Sequence, residues 1–188
     1  MKDKNYLKEQ VASLQSTIDL SMDEEMLNKI EELAVQILQI FLSGGKIAFV
    51  GNGGSAAEAM HLAAEFTGKC LVDHPPLAAI CLNESQSALT AIANDFGIEY
   101  MFERSVRALI KPNDLLIALS TSGKSKNIIS AIESAQSIGA RVILWSGEDC
   151  PDRQFEIWRA RSVSTPRIQE VHLLWGHLVA EIVESHWS

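Results

Sequence analysis

Short apolar segments alternate with stretches of helical periodicity over most of the chain after residue 45. The apolar segments predict strands at 46–50, 77–82, 114–120, 141–147 and 155–161. Helical patterns follow them from about Ala56, from Ser85 to about Ala93, after the turn at 94–97, over 127–139, and from Pro166, with Thr165 as the cap. Strands and helices that alternate in this way form a parallel sheet covered on both faces. The pattern therefore predicts an α/β fold with a five-stranded parallel sheet flanked by helices.

Two further helices are predicted ahead of the first strand, over 3–20 and 21–43. Ser21 and Glu24 have the spacing of a capping box, and Gly44 and Gly45 supply the stop. The second helix carries one apolar stripe, formed by Leu27, Ile30, Leu33 or Ala34, Ile37, Leu38 and Phe41. Residues 1–188 are predicted as a single domain, whose leading helices (1–43) pack on the core or on another subunit.

Two loops rich in glycine and serine come directly after predicted strands, "GNGGS" at 51–55 and "STSGKS" at 120–125. Ligands of parallel sheets bind outside the carboxyl ends of the strands, so the two loops are expected to share one site. The second loop offers several hydroxyls at the start of a helix, where free N–H groups and the dipole favour a phosphate; they belong to Ser120, Thr121, Ser122 and Ser125. The alternative is a simple helix cap with spare serines. Neither loop has the spacing of a P-loop or of a dinucleotide fingerprint.

The helix after the first loop carries His61 and Glu65, which are four residues apart and project from one face. A solvated surface pair is the alternative interpretation. The many alanines around them favour a helix packed close to the sheet, where a buried carboxylate needs a partner. Glu58 on the same helix is interpreted as a surface charge.

The last predicted helix carries a second group of polar residues. Gln169 and His177 are eight residues apart, which places them about 80° apart around a helix, with His172 between them in sequence. A lone histidine on such a helix is most often structural, but a glutamine, two histidines and Arg167 together favour a site. The pair Asn94–Asp95 either caps a helix or contacts a substrate.

Composition narrows the possible partners. The net charge is −8, and the lysines and arginines are scattered, which argues against a nucleic-acid surface. The three cysteines form no CxxC pair, which favours a reducing compartment. The charged start "MKDKNYLKEQ" lacks the apolar core of a signal peptide, and no apolar run reaches membrane-spanning length. A cytoplasmic protein without a membrane partner is expected.

Four segments in this order resemble a known family: "GNGGSAAEAMHLAAEFTG", "AIANDFG", "STSGKSKNII" and "RIQEVHLLWGH". Together they look like the sugar-isomerase (SIS) domain, and specifically the phosphoheptose isomerases. The resemblance covers nearly the whole chain. It implies a three-layer sandwich and the conversion of sedoheptulose 7-phosphate to D-glycero-D-manno-heptose 7-phosphate through an enediol. In that family this is the first step towards the ADP- or GDP-heptose of lipopolysaccharide core or related glycans.

The resemblance also implies roles for individual residues. The acid/base pair of the family matches Glu65 and His177, and its metal site, zinc with one ion per subunit, matches His61, Glu65, Gln169 and His177. The phosphate loop matches the hydroxyl residues of 120–125. Positions that contact sugar or phosphate match Asn52, Gly53, Gly54, Ser55, Asn94, Asp95 and Gln169. The family forms homotetramers with active sites at subunit interfaces, which implies that Glu65 and His177 can come from different chains.

Two departures from the family pattern concern the substrate. Pro166 stands where many members have an aspartate, and Lys69 where many have an arginine; a lysine is a point charge rather than a bidentate fork. The alternative function is that of a non-enzymatic relative, which binds the replication initiator protein and lacks the histidine that matches His177. A sugar-phosphate-sensing domain is a third possibility, but such domains are usually fused to a DNA-binding module.

Overall fold

The computed structural model describes residues 3–187. Its helices are α1 Lys4–Ser21, α2 Glu24–Leu42, α3 Gly54–Thr67, α4 Gln86–Phe96, α5 Glu103–Leu109, α6 Lys126–Ile138 and α7 Thr165–Glu184. Its strands are β1 Ile47–Gly51, β2 Ala79–Cys81, β3 Leu115–Leu119, β4 Arg141–Gly147 and β5 Glu156–Ala160. Short 3-10 turns lie at Ile98–Tyr100 and Ser185–Trp187.

The strands of the described chain form one parallel five-stranded sheet in the order β2-β1-β3-β4-β5, which confirms the predicted fold class. The chain leaves β1 in one direction to reach β2 and then returns to place β3 on the other side of β1. The crevice at such a reversal is where doubly wound sheets bind ligands. Gly51 and Leu119 are paired at the ends of β1 and β3, so the two predicted ligand loops begin side by side.

Helices cover both faces of the sheet and divide the core in two. Side chains of α2, α3 and α7 pack on one face of the sheet, and side chains of α4, α5 and α6 pack on the other. On the first face the Trp145 and Trp158 rings stack at 5.6 Å, and Trp175 of α7 meets both edge-on. This packing anchors α7, the helix that carries Gln169 and His177, directly on β4 and β5.

The leading helices differ from each other in how deeply they are buried. The apolar stripe of α2 enters the core through Met26, Ile30, Leu33, Ala34 and Ile37, whereas the predicted Leu27 is 39% exposed. The cap of α2 is Asp23, whose carboxylate accepts from Met26 N, so the predicted capping box at Ser21 is wrong. Ser21 instead accepts a hydrogen bond from Arg161 N and ties the end of α1 to the residue that follows β5.

Several predicted boundaries shift by one to three residues. Helix α3 begins at Gly54 rather than near Ala56, and the cap of α7 is Ser164 rather than Thr165. Helix α4 runs on to Phe96, so the predicted turn at 94–97 is largely helical. Among the helices of residues 3–187, none combines the length and apolar character that a membrane span requires.

Candidate active site

Helices α3 and α7 are packed against each other at a point where a glycine faces a leucine. A Cβ placed on Gly176 would collide with the side chain of Leu62. Leu62 follows His61 on α3, and Gly176 precedes His177 on α7. The missing side chain therefore lets the two helices approach until their histidines meet.

His61, Glu65 and His177 form the centre of the site. His61 Nε2 lies 2.8 Å from His177 Nε2 and 3.2 Å from Glu65 Oε1. One ligand atom of each residue lies within 4.8 Å of the other two. All three side chains belong to the same chain, so Glu65 and His177 need no partner subunit to meet. The cluster offers two imidazole nitrogens and a carboxylate oxygen, a donor set that suits a divalent metal or proton transfer.

Gln169 lies at the mouth of the first glycine loop. Its Nε2 donates to Ser55 Oγ at 3.4 Å, and a Cβ on Gly54 would collide with the Gln169 amide. Only glycine at position 54 leaves room for this contact. The structure thus brings Gly54 and Ser55 of α3 to Gln169 of α7, as the shared site requires.

The second loop turns at the start of α6 and gathers its hydroxyl groups. Ser120 Oγ donates to Ser125 Oγ at 3.3 Å, and Lys124 N donates to Ser122 Oγ at 3.2 Å. Gly123 takes a φ of +62°, and any side chain there would collide with Cys150. Free N–H groups at a helix start and several hydroxyls make this loop a suitable phosphate site.

Two asparagines hold the first loop in place, and the sequence analysis identified neither. Asn127 of α6 exchanges two 2.9 Å hydrogen bonds with Asn52, side chain to side chain. Asn83 donates to Gly51 O at 2.9 Å and accepts from Gly51 N at 3.2 Å. The pairing of Asn52 with Asn127 joins the first loop to the first turn of α6, the helix that follows the second loop. An asparagine in a helix start gives no such signal in sequence, because its partner lies 75 residues away.

Asn94 and Asp95 belong to α4, which packs on the opposite face of the sheet from α3 and α7. They occupy the last turn of α4, are exposed, and are joined to each other by a 2.8 Å hydrogen bond from Asn94 Nδ2 to Asp95 Oδ1. Within residues 3–187, no hydrogen bond joins either side chain to the two ligand loops. They do not cap the following helix either, which was the other alternative.

The two positions that depart from the family pattern are both exposed. Pro166 is in the first turn of α7, and Lys69 follows the end of α3. Beside Pro166, a cleft of about 160 Å³ opens between the second loop and α7. Thr121, Ser122, Lys124 and Thr165 are among the residues that line it. The cleft presents hydroxyl groups together with one cation, Lys124, and one carboxylate, Asp149.

Three side chains around the site, Glu58, His172 and Cys70, have shifted pKa values. Glu58 is buried rather than a surface charge, so that interpretation is wrong. Burial raises the pKa of Glu58 to about 7, although Ser55 and Gln169 lie close enough to lower it. Burial lowers the pKa of His172 to about 4, which keeps its ring neutral at pH 7. Burial and the adjacent Glu65 carboxylate raise the pKa of the Cys70 thiol to about 12.

Comparison with known families matches the model of the SIS domain to residues 6–147 of this chain. The matched segment contains both ligand loops and the pair His61–Glu65. It ends at the last residue of β4, before α7, so Gln169 and His177 lie beyond it.

Similarity to curated and solved proteins extends over nearly the whole chain. The phosphoheptose isomerase of Helicobacter pylori (strain P12) is 40% identical over 188 residues, 98% of this chain and 92% of that protein. The phosphoheptose isomerase of Clostridium acetobutylicum is 38% identical over 186 residues, 96% of this chain and 94% of that protein. The solved phosphoheptose isomerase from Neisseria gonorrhoeae is 34% identical with a TM-score of 0.86, covering 97% of this chain and 98% of that one. The one from Francisella tularensis is 27% identical with a TM-score of 0.91, covering 98% of this chain and all (100%) of that one.

Proposed function

The chain belongs to the SIS domain family and, within it, to the phosphoheptose isomerases, and from this we propose that it interconverts sedoheptulose 7-phosphate and D-glycero-D-manno-heptose 7-phosphate. The alternative function, binding of a replication initiator protein, has no support among the relatives described above. It is also disfavoured by the presence of His177, which completes the cluster with His61 and Glu65.

The convergence of Glu65 and His177 is the observation that carries the proposal. Aldose–ketose isomerisation moves one proton from C1 to C2 and another between the two neighbouring oxygens, through an enediol. A carboxylate and an imidazole on opposite sides of one small site can divide these transfers, and each regains its starting state by the end of the cycle. The site is open to solvent on the His61 side, whose side chain is 46% exposed, so a substrate can reach it.

We propose further that His61, Glu65, Gln169 and His177 hold one zinc ion per subunit. Three of these residues fit such an ion, because two imidazoles and a carboxylate converge. The amide oxygen of Gln169, an unusual zinc ligand, is assigned as the fourth from the family resemblance. When bound, zinc would polarise the substrate carbonyl. Glu65 has two oxygens and can serve metal and proton together. His177 faces His61 through its Nε2 atom. This one nitrogen can therefore bind the zinc ion or exchange a proton, but it cannot do both at once.

The two loops are proposed to hold the rest of the substrate. The phosphate is assigned to the hydroxyls and N–H groups of 120–125, and the sugar to the loop that contains Asn52, Gly53, Gly54 and Ser55. Asn94 and Asp95 remain proposed contacts on the far side of the crevice. Phosphate binding far from the reacting carbons would supply the energy that positions C1 and C2.

A homotetramer with active sites near its interfaces is proposed from the surface of the leading helices. Leu7 and Val11 lie one turn apart on the same side of α1 and are 60% and 58% exposed, so they offer apolar surface that a partner subunit would cover. The cytoplasm is the proposed location, because Cys70, Cys81 and Cys150 are all free thiols, as a reducing compartment favours.

The direct test is to incubate the protein with sedoheptulose 7-phosphate and follow formation of the aldose phosphate, with and without added zinc. Turnover of this ketose is expected. Absence of any aldose product under both conditions would reject the isomerase, and capture of the initiator protein by the same inactive preparation would favour the alternative.

A further inference from the structure

A fully buried serine lies near the end of the otherwise apolar strand β4. Ser146 is 0% exposed and follows Trp145 in the segment "RVILWSG". Its hydroxyl donates to Ser120 O at 2.6 Å and lies 3.5 Å from Thr121 O. Ser120 O also closes a turn by accepting from Gly123 N at 3.0 Å. A buried hydroxyl needs a hydrogen-bond partner, and this one finds it in the main chain of the second ligand loop, where it holds the turn against the strand.

The second loop is attached to β4 over its first two residues. Ser120 N donates to Trp145 O at 3.0 Å, and Gly147 N donates to Thr121 O at 3.0 Å. A Cβ on Gly147 would collide with Thr121 O, because the loop packs directly on the end of the strand. Beside these two backbone bonds, the Ser146 hydroxyl is a side-chain donor. It is therefore the bond that a substitution can remove without altering the backbone.

Helix α7 holds Ser146 from the other side. His172 Nε2 lies 3.3 Å from Ser146 O, and this nitrogen must carry the proton, because a carbonyl oxygen only accepts. The His172 ring is fully buried and packs against the rings of Trp145 and Trp175. Ser146 thus lies between the second loop and α7, the helix that supplies His177.

The carbonyl groups of Ser120 and Thr121 determine where the next two N–H groups point. In a planar trans peptide unit the C=O and N–H bonds point in opposite directions, and the described chain has no cis peptide bond. Both carbonyls bind donors of β4. The N–H groups of Thr121 and Ser122 therefore point away from the strand, and neither donates to another group within residues 3–187. Successive free N–H groups in a turn form a concavity that binds anions.

We propose that Ser146 is a positioning residue for the substrate phosphate: its hydroxyl fixes the peptide unit between Ser120 and Thr121, so that the N–H groups of Thr121 and Ser122 face the phosphate. These groups lie just before α6, whose N-terminus also favours negative charge. Ser146 itself does not touch the phosphate, because it is buried behind the loop. This inference rests on the proposed function, which assigns a sugar phosphate to residues 120–125.

The test uses Ser146→Ala, which removes the hydroxyl group and keeps the backbone of β4. Binding of inorganic phosphate at pH 8 is measured by calorimetry, and KM and kcat for sedoheptulose 7-phosphate are measured in parallel. One hydrogen bond changes an equilibrium constant about 2- to 10-fold. Phosphate affinity should fall and KM should rise by a factor in that range, while kcat stays close to the wild-type value. Ser146→Cys keeps the shape with a weaker donor; it should show a smaller loss, and it replaces Ser146→Ala if that variant does not fold.

Two controls separate positioning from a general loss of stability. Ser21 is 2% exposed, and its hydroxyl accepts from Arg161 N at 2.8 Å, outside both ligand loops. Ser21→Ala also deletes a buried hydroxyl that binds the main chain, so it should lower the temperature of unfolding and leave phosphate affinity unchanged. Inhibition by sedoheptulose, which lacks the phosphate, should be equal in the wild type and in Ser146→Ala.

Four results would overturn the inference: wild-type protein that binds no inorganic phosphate, folded Ser146→Ala with wild-type phosphate affinity, a fall in kcat at constant KM, or an equal loss of phosphate affinity in Ser21→Ala. Failure of the proposed function is a different result. It is read from the absence of aldose product from sedoheptulose 7-phosphate, while phosphate binding and its dependence on Ser146 persist.

Discussion

His61 and His177 are 116 residues apart in sequence, and their Nε2 atoms lie 2.8 Å apart. The contact joins α3 to α7 at the point where Gly176 leaves space for Leu62. The positions of the proposed acid, base and metal ligands therefore depend on how closely these two helices pack.

Gly176→Ala should therefore impair catalysis more than its single methyl group would suggest. The new Cβ would collide with Leu62 and push α7 away from α3. Because a displacement of about 1 Å can reduce rates roughly 100-fold, we expect kcat/KM to fall at least about tenfold. The double variant with Leu62→Ala makes room for the methyl group and should recover part of the activity. Equal activities of Gly176→Ala and wild type would refute the role assigned to this contact.

Glu65→Gln and His177→Ala should each reduce kcat by about 10²- to 10⁴-fold, the usual contribution of a positioned acid or base. Circular dichroism should show an unchanged fold. Glu133→Gln on the exposed face of α6 and His186→Ala near the end of the chain are matched controls and should keep wild-type rates. Full activity in either active-site variant would remove that residue from the mechanism.

Removing a hydroxyl group from the second loop should weaken substrate binding more than it lowers kcat. Ser122→Ala and Ser125→Ala each remove a donor from the proposed phosphate site, and a hydrogen bond to a charged group contributes roughly 1.5–3 kcal/mol. KM should rise about tenfold or more, and inorganic phosphate should inhibit the variants less than the wild type. Ser137→Ala, in the last turn of α6, the helix that follows this loop, should change neither KM nor the inhibition by phosphate. A fall in kcat at constant KM would place the phosphate elsewhere.

Glu184 should make the fold sensitive to acid. Its carboxylate accepts from the backbone N–H groups of Cys70, Leu71 and Val72 at 2.5, 2.8 and 3.0 Å, and His74 Nε2 lies 3.1 Å away. Burial alone would raise the pKa of Glu184, but these donors lower it below its ordinary value of 4.5. The ionised group therefore stabilises the fold above about pH 4.5, and this contribution is lost as the pH falls through the lowered value.

Glu184→Gln should accordingly lower the free energy of unfolding at pH 7 by roughly 1.5–3 kcal/mol, the range for a charged hydrogen bond. Urea denaturation measures this change, and its pH dependence below pH 4.5 should flatten in the variant. Glu181→Gln, one turn earlier on α7 and exposed, is the matched control. An acid transition as steep in Glu184→Gln as in the wild type would show that another group is responsible.

Much of the fold follows from patterns that are local in the chain. Every predicted strand exists, although β2 is limited to Ala79–Cys81. The central strands β1 and β3 were the clearest in sequence, because each is a continuous apolar segment that is buried on both faces. The two ligand loops also follow from sequence, since both begin where a strand ends. Helix ends were less predictable. Ser21 and Asp23 are equally good caps in isolation, and Ser21 is engaged by Arg161 across the fold instead.

The sequence did not predict which side of α3 is buried. The helix has small residues around much of its circumference, so no apolar stripe shows which side is buried, and Glu58 was assigned to the wrong side. Likewise, the partners of Asn52, Asn83 and Asn127 depend on which loops the sheet order makes adjacent. No local pattern carries that information.

The sequence by itself determined the α/β class, the two loops, and the kinds of side chain available for acid/base and metal chemistry. Only the tertiary structure decided that His61 and Glu65 meet His177 within one chain and that Glu58 is buried. The physical reason is that local propensity acts through neighbouring residues, whereas these contacts come from two helices packed at a distance that a single glycine, Gly176, permits.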